Sequence, residues 1–457
     1  MKKLYSFTDS PTKIEHTIYE LDNGVKVFHA KNPSSIEYVL SVIVKAGSVF
    51  ENINNVPHGT AHFLEHILAG NPNKMLKSKY EMDEFRAGTK TDPKIHYNAV
   101  TYKKYIHFFS YGNEKGSRRI NKWIKATLDY PVENIPKYIE KERKIILAEQ
   151  SRKNKDEFDS YFQFIRFLYN NKNNSFTSRV IGEKKDIKEI SVENIKKFFK
   201  NQLLNQRSII TVQTGRDLKQ LEIKDIEHIG KLFKPKKTKE KYINPQFIKE
   251  KRAHHFTNNQ AEGLYFSLIF FQPYHKKINY KERVLRRLLR SLINKISFDY
   301  LREDLGLIYS SKTYTNFYLN CEEELVVYET FMQPRNFDKT LTALNDIINN
   351  KLEEFLNSKE GEIWFESAVS SYIFPQNLPY QTNYAEQKGL PLIENYEIFE
   401  ADKAIGIAST INIDNILEYS NKFFKKTPLF WIESDRKDDK YIKILKQSKL
   451  YNRLCND

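Results

Sequence analysis

Cysteine is almost absent from this chain, with two, Cys321 and Cys455, in 457 residues. Two cysteines cannot build a disulfide framework, so a reducing compartment is the expectation and the cytoplasm the expected location. The same scarcity excludes a cysteine-rich structural zinc site. Long apolar runs are missing too. The best of them, residues 264–271, has the length of a strand and falls well short of the roughly 20 residues that span a bilayer, so no membrane partner is expected. After Met1-Lys2-Lys3-Leu4-Tyr5, the charges of Asp9, Lys13 and Glu15 interrupt before the apolar segment of a secretory signal can form. Glycine and proline, 15 each, are too few for a low-complexity or collagen-like chain.

What is present points to a globular protein of two or more domains, since a chain this long exceeds one ordinary core. Aromatic residues reach 14%, which supplies ample apolar bulk for those cores. The formal net charge of +16 raises the question of a polyanionic partner. The lysines are spread through the chain, however, and no nucleic-acid-binding motif accompanies them. A composition rich in Lys and Asn accounts for the charge, and no nucleic-acid partner is expected.

The chemistry-bearing stretch is His62-Phe63-Leu64-Glu65-His66. On a helix, four residues return a side chain to the same face, so both imidazoles can reach one ion. Glu65 projects from the neighbouring surface, near that ion without having to bind it. This is the His-x-x-Glu-His order of inverzincins. His58 lies four residues earlier, but Pro57 and Gly59 flank it and place it ahead of the regular helix, so it is left out of the ligand set.

Around the motif the chain alternates strands and helices. Residues 19–28 read as strand, turn at Asn23-Gly24 and strand. Residues 39–44 read as a buried strand, and 97–100 with 105–109 as a strand pair. Residues 70–94 read as a loop with a short helix. Helices are predicted over 120–128, 134–152, 158–169, 195–204, 280–301, 337–356 and 363–372. Further strands are predicted at 208–213 and 264–271, with a hairpin over 307–319 and 324–332. Periodicity lapses in the lysine-rich stretch 232–246, which separates an expected N-terminal zinc-binding domain, 1–231, from a related C-terminal domain, 247–457. Val192-Glu193-Asn194-Ile195 and Ile413-Asp414-Asn415-Ile416 each lead a helix into a strand, 221 residues apart. That similarity suggests duplication. The same offset carries His62–His66 onto Arg283–Arg287, so only the first domain is expected to hold a metal. The fold class expected is α+β, two related domains, each a mainly antiparallel sheet packed with helices.

A catalytic zinc needs three protein ligands and an open position. The third must be His, Asp or Glu. The helix after Asn134 offers Glu142 and Glu149, two turns apart on one face, with Ile145 and Ile146 on or near it. A carboxylate on a mostly apolar face calls for a partner, and a metal is one. A solvated glutamate on a charged helix satisfies the spacing equally well.

These features together resemble the pitrilysin and insulin-degrading enzyme family, which includes the mitochondrial processing peptidase. The likeness extends to Leu21-Asp22-Asn23-Gly24, Ala46-Gly47-Ser48, Asn98-Ala99-Val100-Thr101, Ile181-Gly182 and Arg302-Glu303-Asp304-Leu305-Gly306-Leu307-Ile308-Tyr309. The resemblance implies a zinc metalloendopeptidase with one Zn2+ per chain, held by His62, His66 and Glu149. It implies Glu65 as general base and Glu142 as a supporting acidic residue of the catalytic group. It also implies Arg302, Tyr309 and Asn98 as contacts to a peptide substrate. Unfolded peptides lying as an extended strand on a sheet edge are the expected substrates. A two-domain half of this kind implies a second subunit, as a homodimer or a heterodimer. The alternative is a non-catalytic subunit of such an assembly.

Overall fold

The computed structural model describes residues 1–152, 156–169, 176–235, 253–273, 275–316, 323–374, 383–436 and 440–456. From residue 236 onward the linker predicted over 232–246 lies outside the described residues, as does Cys321. Two compact units are present. The first comprises Met1–Asn154, Asn171–Pro245 and Asn377–Glu400; the second comprises Lys155–Asn170, Gln246–Gln376 and Ala401–Asp457.

The first unit is built on a seven-stranded sheet: β1 (Lys2–Asp9), β2 (Ile14–Glu20), β3 (Lys26–Lys31), β4 (Glu37–Val44), β5 (Ile95–Thr101), β6 (Ile106–Asn113) and β7 (Ser208–Thr214). Their order across the sheet is β1-β2-β3-β7-β4-β6-β5. Only β3 and β7 run parallel; the other described pairs are antiparallel. Valine and isoleucine in β4 and β7 suit a pleat covered on both faces. Tyr38, Leu40, Val42, Ile209 and Val212 are all buried. The β2–β3 turn falls at Asn23-Gly24, where Gly24 takes φ +83°.

The second unit has β8 (Ala253–Thr257), β9 (Leu264–Pro273), β10 (Ser310–Asn316), β11 (Glu323–Met332) and β12 (Leu429–Ser434), in the order β10-β11-β9-β12-β8. Read from the other side, β8-β12-β9-β11-β10 repeats β3-β7-β4-β6-β5 strand for strand. Its parallel pair, β8 with β12, occupies the same place as β3 with β7. The short sequence similarity thus coincides with a repeated topology.

The histidine motif lies on α1 (Thr60–Gly70), packed against α2 (Ile135–Arg152); α3 (Asp156–Tyr169) comes next in the chain, and the motif's counterpart lies on α4 (Tyr280–Ile296). α1 follows β4 as α4 follows β9. Arg283 and Arg287, the projected counterparts of the two histidines, indeed lie on α4. The helices predicted over 280–301 and 337–356 do not stay α-helical throughout. π-helical segments, Ser297–Asp304 and Ile347–Lys351, interrupt them.

Two segments lie in the unit formed mainly by the other half of the sequence. α3 buries Ile165, Phe167, Leu168 and Tyr169 with Ile269, Leu325, Val327 and Trp431 of the second unit. Residues 384–393 bring Ala385, Leu392 and Ile393 against Phe28, Ile43 and Ile209 of the first. Each such aliphatic or aromatic side chain contributes about 1.5–3 kcal/mol when fully buried. That is enough to decide which sheet a short segment joins. Ion pairs reinforce the second case, Lys388 with Asp9 and Lys45 with Glu394, each at 2.7 Å.

The start of α1 depends on a close backbone crossing. Gly59 takes φ +94° and Gly182 φ +81°. A Cβ on Gly59 would sit 2.5 Å from Ile181 O, and one on Gly182 would sit 2.4 Å from His58 O. The first turn of α1 has no side-chain cap of its own. Glu51 supplies one from outside, its Oε1 accepting from the amides of Gly59 and Ala61 at 3.1 and 2.9 Å. A buried carboxylate placed there also faces the positive end of the helix dipole. Gly59→Ala should destabilise the protein by more than the about 1–2 kcal/mol that positive φ alone costs. Gly24→Ala, where nothing lies within 4 Å of the added carbon, should cost only that strain. Denaturant melts of the two variants check the order; an equal loss would mean that the crossing is slack.

Candidate metal centre

α1 carries the motif on a helix buried nearly all round. Ala61, Phe63, Leu64, Ile67 and Leu68 are each at most 1% exposed. α2 packs against it with a stripe of Ile135, Ile139, Glu142, Ile146 and Gln150. At about 100° per residue, that stripe is centred near position 146. Glu149 falls on its rim and Ile145 lies beyond it. Ile145 is accordingly exposed and does not pack around the site as the spacing suggested, whereas Ile146 is fully buried.

The five polar side chains meet in an ordered way. Nε2 of His62 is 3.3 Å from Oε2 of Glu149. Nε2 of His66 is 3.4 Å from the same oxygen. The opposite nitrogens face other carboxylates. His62 Nδ1 lies 3.4 Å from Glu65 Oε2, and His66 Nδ1 lies 3.3 Å from Glu142 Oε2. The two rings stand 4.6 Å apart, nearly edge to face at 69°. Each imidazole therefore has an ε side turned to a shared oxygen and a δ side braced by its own carboxylate. Metal-binding histidines are arranged in this way, with the second nitrogen fixed by an acidic partner.

The spacing tests whether an ion fits. Zinc bonds of about 2.0–2.1 Å to nitrogen and 2.0–2.2 Å to oxygen make each edge of a regular ligand tetrahedron about 3.3–3.5 Å long. Both Nε2–Oε2 separations lie in or at that range. His62, Glu65 and His66 also bring one donor atom each within 4.8 Å of one another. Glu65 makes its close approach to Nδ1 of His62, while the two ε nitrogens converge on Glu149. Two edges of a His62–His66–Glu149 set thus have the length that a bound zinc requires.

Further residues extend this centre outward; none is assigned a role from sequence, although Thr101 ends the Asn98–Thr101 stretch that carries part of the family resemblance. Thr101, the last residue of β5, donates its hydroxyl to Glu65 Oε2 at 2.8 Å. Asn71, just past α1, is fully buried and donates to Glu142 Oε1 at 3.1 Å. It donates at 3.3 Å to the carbonyls of His66 and Ile67 as well. Lys141 reaches both Asn71 Oδ1 and Glu142 Oε1 at 3.1 Å. Thr, Asn and Lys at these positions carry no recognisable spacing, so only the folded arrangement identifies them. His58 stands apart, as expected, between Glu51 and Ser178 at 3.3 Å each.

Burial disfavours charge on both imidazoles, yet the carboxylates prevail. Glu149 and Glu65 hold His62 above its ordinary value, and Glu142 with Glu149 hold His66 up to about 9. Burial likewise opposes ionisation of Glu65 and Glu142. His62 and Thr101 still pull Glu65 below the usual carboxylate range, and His66, Lys141 and Asn71 do the same to Glu142.

The residues expected to meet substrate lie on other elements. Asn98 is exposed on β5, its Oδ1 accepting from the Ala99 amide at 2.9 Å. β5 is an edge strand of its sheet. In the second unit, Arg302 stacks its guanidinium over Phe298 at 4.9 Å. Tyr309 is 52% exposed, with its hydroxyl accepting from Gln333 Nε2 at 2.7 Å.

No family model matches this sequence, and no curated protein matches it in sequence. Comparison of folds is decisive. The first half of the periplasmic protease PqqL from Escherichia coli superposes with a TM-score of 0.75 at 15% identity, covering 99% of this chain and 98% of that one. Pitrilysin gives 0.69 at 14% identity, covering 96% of this chain and 47% of the other. The chain has a pitrilysin-like peptidase fold. A protease from Helicobacter pylori shares this fold with a TM-score of 0.66 at 18% identity, over 92% of this chain and 99% of that one. The chain spans about half the length of pitrilysin. Among the described residues, no helix is long and apolar enough to cross a membrane.

In the metal-free protein, a raised His66 pKa contributes stability that is complete below its unfolded value of about 6.5. That contribution is lost as pH rises through about 9. Glu142→Gln removes one of the two carboxylates responsible. The His66 ring resonance should titrate near 9 in the metal-free wild type and move toward about 6.5 in the variant. Proton NMR checks this, and an unmoved titration would mean that Glu142 does not brace the ring.

Proposed function

We propose that the chain is a zinc-dependent endopeptidase acting on unfolded peptides or short polypeptides. The carrying observation is the convergence of both ε nitrogens on one oxygen of Glu149, with Glu65 held beside them and outside that set. In this reading His62, His66 and Glu149 hold one zinc ion. Two neutral imidazoles and one carboxylate are a donor set suited to catalytic zinc. When bound, zinc polarises the scissile carbonyl and makes water acidic enough to ionise near neutral pH.

The protein's own groups do the rest. Glu65 takes a proton from the attacking water and delivers it to the departing amine nitrogen. Glu142 holds Nδ1 of His66 and so fixes which nitrogen faces the ion; its role is positioning rather than proton transfer. The open edge of β5 receives the substrate backbone as an added strand, with Asn98 as a side-chain contact. That mode reads backbone more than side chains and favours unfolded segments. Arg302 and Tyr309 are peptide-contacting residues in the same reading. A second two-domain subunit completes the peptide chamber, a reading supported by the twofold greater length of pitrilysin.

Glu65→Gln keeps the hydrogen-bonding shape and removes the base. It should retain about one zinc per chain and lose kcat by about 10²–10⁴-fold. Metal analysis and a quenched-fluorescent peptide assay measure the two quantities together. Zinc retention with unchanged turnover would remove Glu65 from the reaction, and absence of zinc after gentle purification would favour a non-catalytic subunit. Light scattering on a sizing column should give twice the chain mass for a homodimer.

A further inference from the structure

Glu65 is held asymmetrically. Its hydrogen bond from Thr101 and its close approach to His62 Nδ1 both fall on Oε2. Oε1 has no hydrogen-bond partner among the described residues. The side chain is 10% exposed, so water reaches it through a narrow opening. Thr101 is itself 8% exposed and closes β5, the edge strand. The edge strand of the sheet thus ends in the hydroxyl that Glu65 accepts from.

We infer that Thr101 is a positioning residue which pins Oε2 of Glu65 and leaves Oε1 as the oxygen that exchanges the proton. The inference rests on the hydrolytic reading above and names a residue beyond it. A carboxylate free to rotate would present either oxygen, or neither, to the attacking water. A hydroxyl donor at 2.8 Å, anchored in a paired strand, removes that freedom. Proton transfer needs donor and acceptor within hydrogen-bond reach in one orientation, so the loss of the anchor falls on turnover. The proton balance is simple: Oε1 gains it from water as the carbon–oxygen bond forms, and loses it to the amine as the carbon–nitrogen bond breaks. Zinc binding does not pass through Thr101, because Glu65 faces the δ side of His62.

The test compares zinc-loaded wild type, Thr101→Ser, Thr101→Val, Thr101→Ala and Glu65→Gln on one quenched peptide. Thr101→Val keeps the shape and removes the hydroxyl. It should lower kcat by about 10–100-fold, the size of effect typical of groups that orient a metal site's ligands. KM, zinc content and thermal midpoint should stay at wild-type values. Thr101→Ser should recover most of the lost kcat, and Thr101→Ala should match Thr101→Val, which guards against misfolding of either one. Wild-type kcat in Thr101→Val would overturn the inference. So would a Thr101→Ser variant as slow as Thr101→Val, or a loss confined to KM or to zinc content. If Glu65→Gln cleaves as fast as wild type, the hydrolytic reading fails, and this inference fails with it; if Glu65→Gln is inactive while Thr101→Val is normal, only the inference fails.

Discussion

One carboxylate oxygen governs the organisation of the first unit. Oε2 of Glu149 stands within 3.4 Å of both ε nitrogens of the motif. It does so only because α1 and α2 pack directly on each other along buried isoleucine, leucine and alanine. Their approach depends in turn on the entry to α1. There Gly59 crosses Gly182 without a side chain, and Glu51 caps the exposed amides from a neighbouring turn. The chemistry of the centre thus rests on packing and backbone geometry some distance from it. The electrostatics have the same dependence. Each imidazole has a carboxylate oxygen near each of its nitrogens, and carboxylates so placed favour positive charge on the rings.

The repeated sheet order sharpens what is special about the first unit. Both units place a helix after the same strand of the same topology, yet of these two helices only α1 carries the histidine motif. On α4 the position matching Glu65 is Arg286, whose guanidinium pairs with Glu282 at 2.9 Å and with Glu324. The position matching His66 is Arg287, stacked over Tyr372 at 4.3 Å. Guanidinium groups thus stand on α4 at the positions that match Glu65 and His66. A guanidinium keeps its charge and has no lone pair to offer an ion, so these arginines cannot act as metal ligands.

Much of the fold is legible in local patterns. The strand pair around residues 97–109, the turn at Asn23-Gly24 and α2 are carried by periods of two or 3.6. Those patterns survive because each element buries one stripe or face. Where one rule is applied too simply, the structure differs. Ile145 sits near Glu142 by count, but the buried stripe turns away from it. The long helices after Tyr280 and Phe337 carry π-helical segments, which no apolar spacing signals. α3 and residues 384–393 join the sheet whose core their side chains fill, and sequence order does not encode that choice.

The metal motif itself is a purely local object: His62, Glu65 and His66 lie within two turns of one helix, so their relation is set by helical geometry and readable from their spacing. Glu149 is 83 residues beyond His66; by spacing it is one of two acidic candidates sharing a face, and the family resemblance alone prefers it. Choosing between Glu142 and Glu149 requires knowing which histidine nitrogen each one meets, and that depends on the angle and depth at which α2 crosses α1. Thr101, Asn71 and Lys141 are further still from sequence, because a hydroxyl, an amide or an amine gains its role from a partner brought close by folding. Sequence by itself determined the residue types and the helix that presents them; tertiary structure decided which oxygen faces which nitrogen, because those distances are set by packing between elements and by nothing within any one of them.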